Sequence, residues 1–237
     1  MNHRHWTESP PPGTGVYVGG APAQGVDFLS NVYGSFVWIA ALIALVAYVI
    51  LVRAFRSIFL ALVAVLLDAL SVGAAFGMLV AVFRFGFLSP LLGTYRVAQI
   101  EGWVPLFLFA MLFGLSMDYE VFIATRMRES YDRLESTNEA IVEGLSHTGG
   151  VVSAAAIIFV GALSGMVFGH IAGLQELGLG LSFGVALDAT LVRGLVLPSV
   201  MALAGRLNWW LPEGVARILH TAPSPLQRRG DGAVPNP

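Results

Sequence analysis

The sequence contains no cysteine and no lysine, and only 12% of its 237 residues are charged. Without cysteine there can be no disulfide bond, thiolate metal site or cysteine nucleophile. All 13 basic residues are arginine, which also excludes a lysine Schiff base and a lysine proton carrier. A soluble domain carries roughly 25% charged residues, so a chain with so few charges could not cover its surface in water. The composition therefore indicates a membrane protein.

Sequence signatures of catalysis are absent or misplaced. There is no Walker-type glycine loop, and the five histidines lack metal-ligand spacing. The pattern Gly-x-Ser-x-Gly occurs around Ser182, but inside an apolar segment rather than at the strand-to-helix turn that makes such a serine reactive. We interpret it as part of a glycine packing pattern. We therefore expect no enzyme activity, cofactor, metal site or nucleic-acid partner.

Hydrophobic residues make up 56% of the chain and are gathered into long runs. A membrane span needs about 20 apolar residues to cross about 30 Å of hydrocarbon. Five segments meet this requirement: 32–52, 57–83, 103–125, 149–168 and 177–204. The predicted fold is an all-α, polytopic membrane helix bundle with five transmembrane helices. We divide it into an extracytoplasmic lead-in (1–30), the five-helix domain (31–206), and an interfacial segment with a disordered tail (207–237).

Arginine placement predicts the orientation of the bundle. Nine arginines fall on one side of the predicted spans: Arg53, Arg56, Arg126, Arg128, Arg133, Arg206, Arg217, Arg228 and Arg229. The opposite side holds Arg4, Arg84 and Arg96. The positive-inside rule then places the N-terminus outside and the C-terminus in the cytoplasm of a multi-pass protein of the cell membrane.

Short connections join the spans. The charged link Arg126–Thr148 contains Ser136 followed by Glu139, the form of a capping box, which predicts a short helix leading into the fourth span. Asn208-Trp209-Trp210 after the fifth span suits an interfacial anchor, and a short helix is expected at Pro212–His220.

Asp118 is the strongest candidate among the ionisable residues inside predicted spans. A span normally rejects such residues, at roughly 2.5–3.5 kcal/mol each near its centre. Gly114 lies one turn earlier on the same helix face and would let another helix approach the carboxylate. An apolar setting favours the neutral form of a carboxyl group, so Asp118 could exchange a proton near neutral pH. Tyr119 offers a hydroxyl for a carboxylate on a neighbouring helix. A static hydrogen bond between helices is the alternative.

Four further ionisable residues are possible accessory groups within the spans. Glu120 lies about 200° around the helix from Asp118 and could either reach interfacial water or join the pathway. Asp188 and Arg193 are about 140° apart on an α-helix, so we expect them to pair with other spans rather than with each other. For Asp68, a relay and a packing role remain open.

Glycines recur at four-residue intervals at three places, a spacing that permits close helix packing in lipid. The glycines are Gly73 and Gly77, then Gly161, Gly165 and Gly169, then Gly180 and Gly184. The pattern predicts that Gly165→Leu forces two helices apart.

Several segments together resemble the C-terminal membrane block of the MMPL branch of RND transporters, in that family's order and spacing. The segments are VYVGGAPAQGVDFL (Val16–Leu29), LSVGAAFG (Leu70–Gly77), GLSMDYEVF (Gly114–Phe122), LDATLVR (Leu187–Arg193) and NWWLP (Asn208–Pro212). The resemblance covers roughly Val16 to Pro212. It makes the segment before residue 30 similar to the end of an extracytoplasmic domain.

The resemblance implies proton-driven export of lipids or other hydrophobic molecules. In this family an Asp-Tyr pair on a central helix of each repeat forms a proton relay, and Asp118 and Tyr119 match the C-terminal pair. The coupling ion would be the proton. The N-terminal repeat with its own pair has no counterpart in this sequence, so we expect a partner that supplies the second transporter half. The alternatives are a non-transporting lipid- or sterol-sensing-like membrane module and a nonfunctional truncated remnant.

Overall fold

The computed structural model describes residues 20–87, 89–94 and 99–219. The predicted lead-in before residue 20 and the tail after residue 219 lie outside these residues, as do Arg4, Arg96, Arg228 and Arg229. The chain divides into two compact units, residues 1–39 and 40–237. The described part of the first unit, residues 20–39, is almost entirely helical, and its Val37 and Trp38 side chains are exposed.

Every regular element of the described residues is helical, which confirms the predicted all-α class. The α-helices are α1 (Ala21–Phe55), α2 (Ile58–Leu79), α3 (Ser89–Leu92), α4 (Val104–Leu134), α5 (Thr137–Ser164), α6 (Ala172–Leu187), α7 (Leu197–Ala204) and α8 (Glu213–Ile218). A π-helix at Val80–Arg84 extends α2, and a second at Asp188–Val196 joins α6 to α7. Short 3₁₀ turns at Gly165–Phe168 and Gly205–Trp209 follow α5 and α7.

Five helices of the described residues are long and apolar enough to cross a membrane, as predicted. They cover Asp27–Phe55, Ile58–Arg84, Val104–Leu134, Thr137–Phe168 and Ala172–Trp209. Four of them are longer than the predicted segments, because their helical hydrogen bonding continues past the most apolar residues, whereas the second has the predicted length and is shifted by one residue. The short α8 begins after Pro212, where a helix was expected.

The charged link Arg126–Thr148 differs from the prediction, because it is helical almost throughout. Helix α4 continues to Leu134 and α5 begins at Thr137, which leaves only Glu135 and Ser136 outside the two helices. Glu135 ends α4 in the left-handed conformation, with φ of 55°. The predicted cap at Ser136 is present, since its side chain accepts the Glu139 backbone N–H at 3.5 Å. The helices continue because this segment still buries apolar side chains, among them Met127 and Ile141.

Two apolar cores stabilise the second unit. The first joins the ends of α1 and α2 to α4, α5 and α7, and its largest side chains are Phe55, Leu60, Met127, Met201 and Trp209. The second joins α2, α4 and α6 near their other ends, and includes Leu79, Phe83, Leu108, Leu112 and Leu181. Along α2 and α4, the residues that are buried between the two cores are polar. The π-helix after α6 adds two further buried polar residues, Asp188 and Arg193.

Trp209 belongs to the first core and is not the interfacial anchor we predicted. It is fully buried, and its ring stacks on Tyr131 with centroids 4.1 Å apart. Its indole N–H donates to Thr137 Oγ1 at 2.9 Å. The preceding Asn208 is buried as well and donates to the Met201 carbonyl oxygen. The tryptophan is held inside because it packs between the ends of α4 and α5, while Trp210 remains exposed.

Only part of the glycine pattern packs as predicted. A Cβ on Gly180 would lie 2.9 Å from the side chain of Leu108, and one on Gly184 would lie 2.5 Å from that of Leu112. Four-residue spacing on α6 is thus matched by four-residue spacing on α4. The prediction for Gly165 is wrong within the described residues, because a Cβ there would meet nothing within 4 Å. The same is true of the other glycines of the pattern on α2 and α5, namely Gly73, Gly77 and Gly161.

Candidate functional site

A layer of buried polar side chains separates the two apolar cores. It is formed by α2, α4 and the π-helix that follows α6. Its members, none more than 3% exposed, are Asp68, Ser71, Ser116, Glu120, Asp188 and Arg193. Three carboxyl groups, two hydroxyls and one guanidinium thus share an interior site at mid-span. Burying an ion costs several kcal/mol unless it is paired and hydrogen-bonded, so the contacts within this layer decide what it can do. We call these six residues the polar layer.

Asp188 and Arg193 bond directly to each other, which corrects the prediction that they would not. Arg193 Nε donates to Asp188 Oδ2 at 2.8 Å. The prediction assumed α-helical rotation, but Asp188–Val196 is a π-helix, in which hydrogen bonds run between residues five apart. The Leu197 N–H accordingly donates to the Val192 carbonyl oxygen. The wider turn brings residues 188 and 193 to one face.

Asp188 is also held by two serines that the sequence analysis did not select. Ser71 Oγ on α2 donates to Asp188 Oδ1, and Ser116 Oγ on α4 donates to Asp188 Oδ2, both at 2.9 Å. With the bond from Arg193, the carboxylate accepts three hydrogen bonds from three different elements. Ser71 lies in the segment LSVGAAFG and Ser116 in the segment GLSMDYEVF, both of which the sequence analysis had noted. Nothing in their spacing distinguished them from serines that pack against a helix backbone.

Arg193 joins the remaining members of the polar layer. Its Nη2 donates to Asp68 Oδ1 at 3.1 Å and to the Ser116 carbonyl oxygen at 2.6 Å. The same nitrogen lies 3.9 Å from Glu120 Oε2. Asp188 and Arg193 therefore pair with other spans, as predicted, in addition to pairing with each other. For Asp68 the structure shows an ion pair with this guanidinium.

Glu120 is buried in the polar layer and does not reach interfacial water in this structure. Only 2% of the residue is exposed. Its Oε2 lies beside the Arg193 nitrogen that also bonds Asp68, and it makes no hydrogen bond to the described residues. Two buried acids thus share one cation. Of the two roles left open for this residue, the geometry favours the interior one.

Asp118 lies on the opposite side of α4 and is exposed. It lines a cavity of about 270 Å³ together with Met111, Leu115, Phe159, Leu163 and Leu181. Gly114 is exposed on the same side, and a Cβ there would meet nothing within 4 Å. The close approach that we expected at Gly114 is therefore not made by the described part of this chain. The surface around Gly114 and Asp118, which we call the Asp118 face, carries an acidic group at mid-span.

Tyr119 lies between the Asp118 face and the polar layer. The Arg193 guanidinium carbon is 4.7 Å from the centroid of its ring, a cation–π contact. The tyrosine hydroxyl is buried and makes no hydrogen bond of normal geometry to the described residues. The predicted pairing of this hydroxyl with a carboxylate is therefore not made within them. Tyr119, which directly follows Asp118 in the chain, therefore contacts the polar layer through its ring.

Among the described residues no group of three or more His, Cys, Asp or Glu has metal-site geometry. The interior carboxylates are instead arranged around the Arg193 guanidinium. Ser182 lies within α6 and accepts a hydrogen bond from Ser164 Oγ at 3.3 Å, so it is not placed at a nucleophile turn.

Five apolar helices with a charged layer inside them define a polytopic membrane protein. The sequence model of the MMPL family matches residues 3–226. The chain belongs to the MMPL family, which confirms the resemblance noted in the sequence.

Individual relatives agree with this assignment. The mycolic acid-containing lipids exporter MmpL11 of Mycolicibacterium smegmatis is 38% identical over 204 residues, covering 86% of this chain and 21% of the relative. The heme uptake protein MmpL11 of Mycobacterium tuberculosis is 37% identical, covering 92% of this chain and 23% of the relative. The trehalose monomycolate exporter MmpL3 of M. tuberculosis is 36% identical, covering 89% and 22%. The chain therefore spans between a fifth and a quarter of the length of these relatives.

Proposed function

We propose that this chain forms part of a proton-driven exporter of lipids or other hydrophobic molecules and acts with a second transporter half. The observation that carries this proposal is Asp118, an exposed carboxylate in the middle of a span. A charge facing hydrocarbon costs roughly 2.5–3.5 kcal/mol on insertion scales, so the Asp118 face is suited to contact with protein rather than lipid. Gly114 leaves room for a helix to approach it.

In the proposed mechanism Asp118 takes up a proton from one side of the membrane and releases it to the other. Tyr119 assists from the adjacent position; its hydroxyl is buried in this chain, so pairing with a carboxylate of the second half requires the side chain to turn outward. Because the Tyr119 ring also contacts Arg193, a change in the charge of Asp118 would alter the ion pairs of the polar layer. Ion-pair rearrangement there would move α2, α4 and α6 relative to one another.

The proposed cargo is a hydrophobic molecule of the membrane. Two relatives are named as exporters of mycolic acid-containing lipids and of trehalose monomycolate, and a third is named for heme uptake. These cargoes share large apolar surfaces. We propose lipid export for this chain because two of the three are named as exporters, one of them of lipids, and proton influx supplies energy for outward movement.

We further propose that the protein lies in the cell membrane with its N-terminus outside and its C-terminus in the cytoplasm. Support comes from the arginine distribution, since Arg53, Arg56, Arg126, Arg128 and Arg133 lie at one end of their helices. The other end of these spans is marked by Arg84 alone among the described arginines.

The deciding experiment measures lipid export by this chain together with a second half, comparing wild type with Asp118→Asn. Asparagine retains the size of aspartate but cannot take up and release a proton, so export should fall to background while the protein remains inserted. Tyr119→Phe should reduce export, because it removes only the hydroxyl. A matched control is Glu129→Gln on the same helix, where the acid is exposed and pairs only with Arg126. Normal export by Asp118→Asn at an equal membrane level would remove Asp118 from the mechanism.

A further inference from the structure

The polar layer contains more acidic groups than its single cation can balance. With every group ionised, Asp68, Glu120 and Asp188 would carry three negative charges against one positive charge on Arg193, a net of −2 in a site at most 3% exposed. The desolvation cost of each uncompensated ion in such an interior is several kcal/mol. Protons are the simplest compensating charges, because a neutral carboxyl group avoids most of this cost.

Asp188 is not the group that carries a proton. Both of its oxygens accept hydrogen bonds, from Ser71 on one side and from Ser116 and Arg193 on the other, at 2.8–2.9 Å. A carboxylate with three donors is stabilised in its ionised form. Asp188 and Arg193 therefore constitute the neutral ion pair of the layer, and the excess negative charge belongs to the two remaining acids.

Asp68 and Glu120 are the two acids that remain, and both lie beside the same nitrogen of Arg193. Nη2 is 3.1 Å from Asp68 Oδ1 on α2 and 3.9 Å from Glu120 Oε2 on α4. Glu120 Oε2 is buried and makes no hydrogen bond to the described residues. A carboxylate has no hydrogen to donate, so a bond between two carboxyl groups requires a proton on one of them. Two buried acids beside one shared cation cannot both ionise readily and titrate as a pair.

We propose that Asp68 and Glu120 share one proton at neutral pH and form a proton-binding site inside this chain, separate from Asp118. The groups that face the pair are Arg193 and Asp188 from the π-helix and Tyr119 from α4. Arg193 holds the site in place through its Nη2, which is 3.1 Å from Asp68 Oδ1 and 3.9 Å from Glu120 Oε2. With one shared proton the layer carries a net charge of −1.

The site needs neither a second polypeptide nor export activity, because all of its members lie in α2, α4 and the π-helix of one chain. Its failure is therefore distinguishable from failure of the proposed transport. The site is also distinct from the Asp118 face, since Glu120 is buried and Asp118 is exposed on another side of α4.

Infrared spectroscopy of the purified chain in lipid nanodiscs tests the proposal through the C=O band of protonated carboxyl groups. Wild type, Asp68→Asn, Glu120→Gln and the double variant are compared at neutral pH. Each single variant should remove the same one-proton band, and the double variant should remove no more than either single variant. The matched control is Glu129→Gln, which removes an exposed acid of α4 that pairs with Arg126 and should retain that band. Amide side chains resemble the protonated acids in size and charge, so both single variants should remain folded.

Three results would overturn the proposal. Wild-type protein without a protonated-carboxyl band at neutral pH would show that no proton is held, whatever the variants do. Single variants that keep the wild-type band would place the proton elsewhere. A double variant that removes twice the signal of each single variant would mean two independent protons and no sharing.

Discussion

Removing the cation of the polar layer should destabilise the protein far more than removing an exposed arginine. Arg193 donates to Asp188, to Asp68 and to the Ser116 carbonyl oxygen. Arg193→Gln leaves buried carboxylates without a cation, and breaking a buried ion pair in this way costs about 3–5 kcal/mol. Asp188→Asn should cost a similar amount, because it leaves the guanidinium without the carboxylate that lies nearest to it.

The stability losses of Arg193→Gln and Asp188→Asn should not be additive. The double variant replaces an ion pair with two neutral amides, so neither buried charge is left without its partner. Its loss of stability should therefore be smaller than the sum of the two single losses. We expect a coupling energy of about 2 kcal/mol, within the range for residues in direct contact. The measurement is reversible unfolding in mixed detergent micelles, followed by tryptophan fluorescence.

The matched control is the exposed pair Arg126–Glu129 on α4. Its atoms approach to 2.8 Å, as closely as those of Arg193 and Asp188, but both side chains are more than half exposed. Exposed pairs contribute typically below 1 kcal/mol, so Arg126→Gln and Glu129→Gln should each have small and additive effects. If the variants of the buried pair cost no more than these, or add without coupling, the reasoning from burial is refuted.

Two further predictions concern packing and orientation. Gly184→Leu should destabilise the chain by about 1–3 kcal/mol through a clash with Leu112, whereas Gly165→Leu should change stability by less than about 0.5 kcal/mol because its side chain meets open space. Equal melting temperatures for the two variants in detergent would contradict the packing described. Reporter fusions at Gln99 and Arg133 should report outside and cytoplasm respectively, and the reverse pattern would overturn the proposed orientation.

The number and class of the membrane helices could be predicted from sequence, because they depend on the length and apolarity of continuous segments. The cap at Ser136 was predictable for a similar reason, since it involves residues three apart. The extension of α4 and α5 beyond the predicted spans was missed, because charged residues such as Glu129 and Arg133 interrupt the pattern of apolar residues that the two helices bury. Charge content alone does not distinguish a solvated helix from a loop.

The ionisable residues of the polar layer could be predicted from the sequence, but their contacts could not. The sequence analysis selected Asp68, Glu120, Asp188 and Arg193 as unusual residues, but their mutual contacts depend on how three helices are rotated. Angles for residues 188 and 193 were calculated for an α-helix, and the π-helix invalidated them. Glycine spacing failed in a related way, because equal spacing occurs on α6, where side chains of α4 approach Gly180 and Gly184, and at Gly161 and Gly165, where nothing in the described chain lies within 4 Å of an added Cβ.

The burial of Trp209 has a consequence for how the chain is made. Its partners Tyr131 and Thr137 are synthesised first, and the bond from the indole to Thr137 joins residues 72 positions apart. At typical synthesis rates of 5–20 residues per second, this interval lasts about 4 to 14 s. During that time the residues at the junction of α4 and α5 have been synthesised, but the ring that packs between them has not. The junction between these helices therefore stays incomplete until residue 209 is added, and the nascent chain leaves the Tyr131 ring and the Thr137 hydroxyl there without their partner.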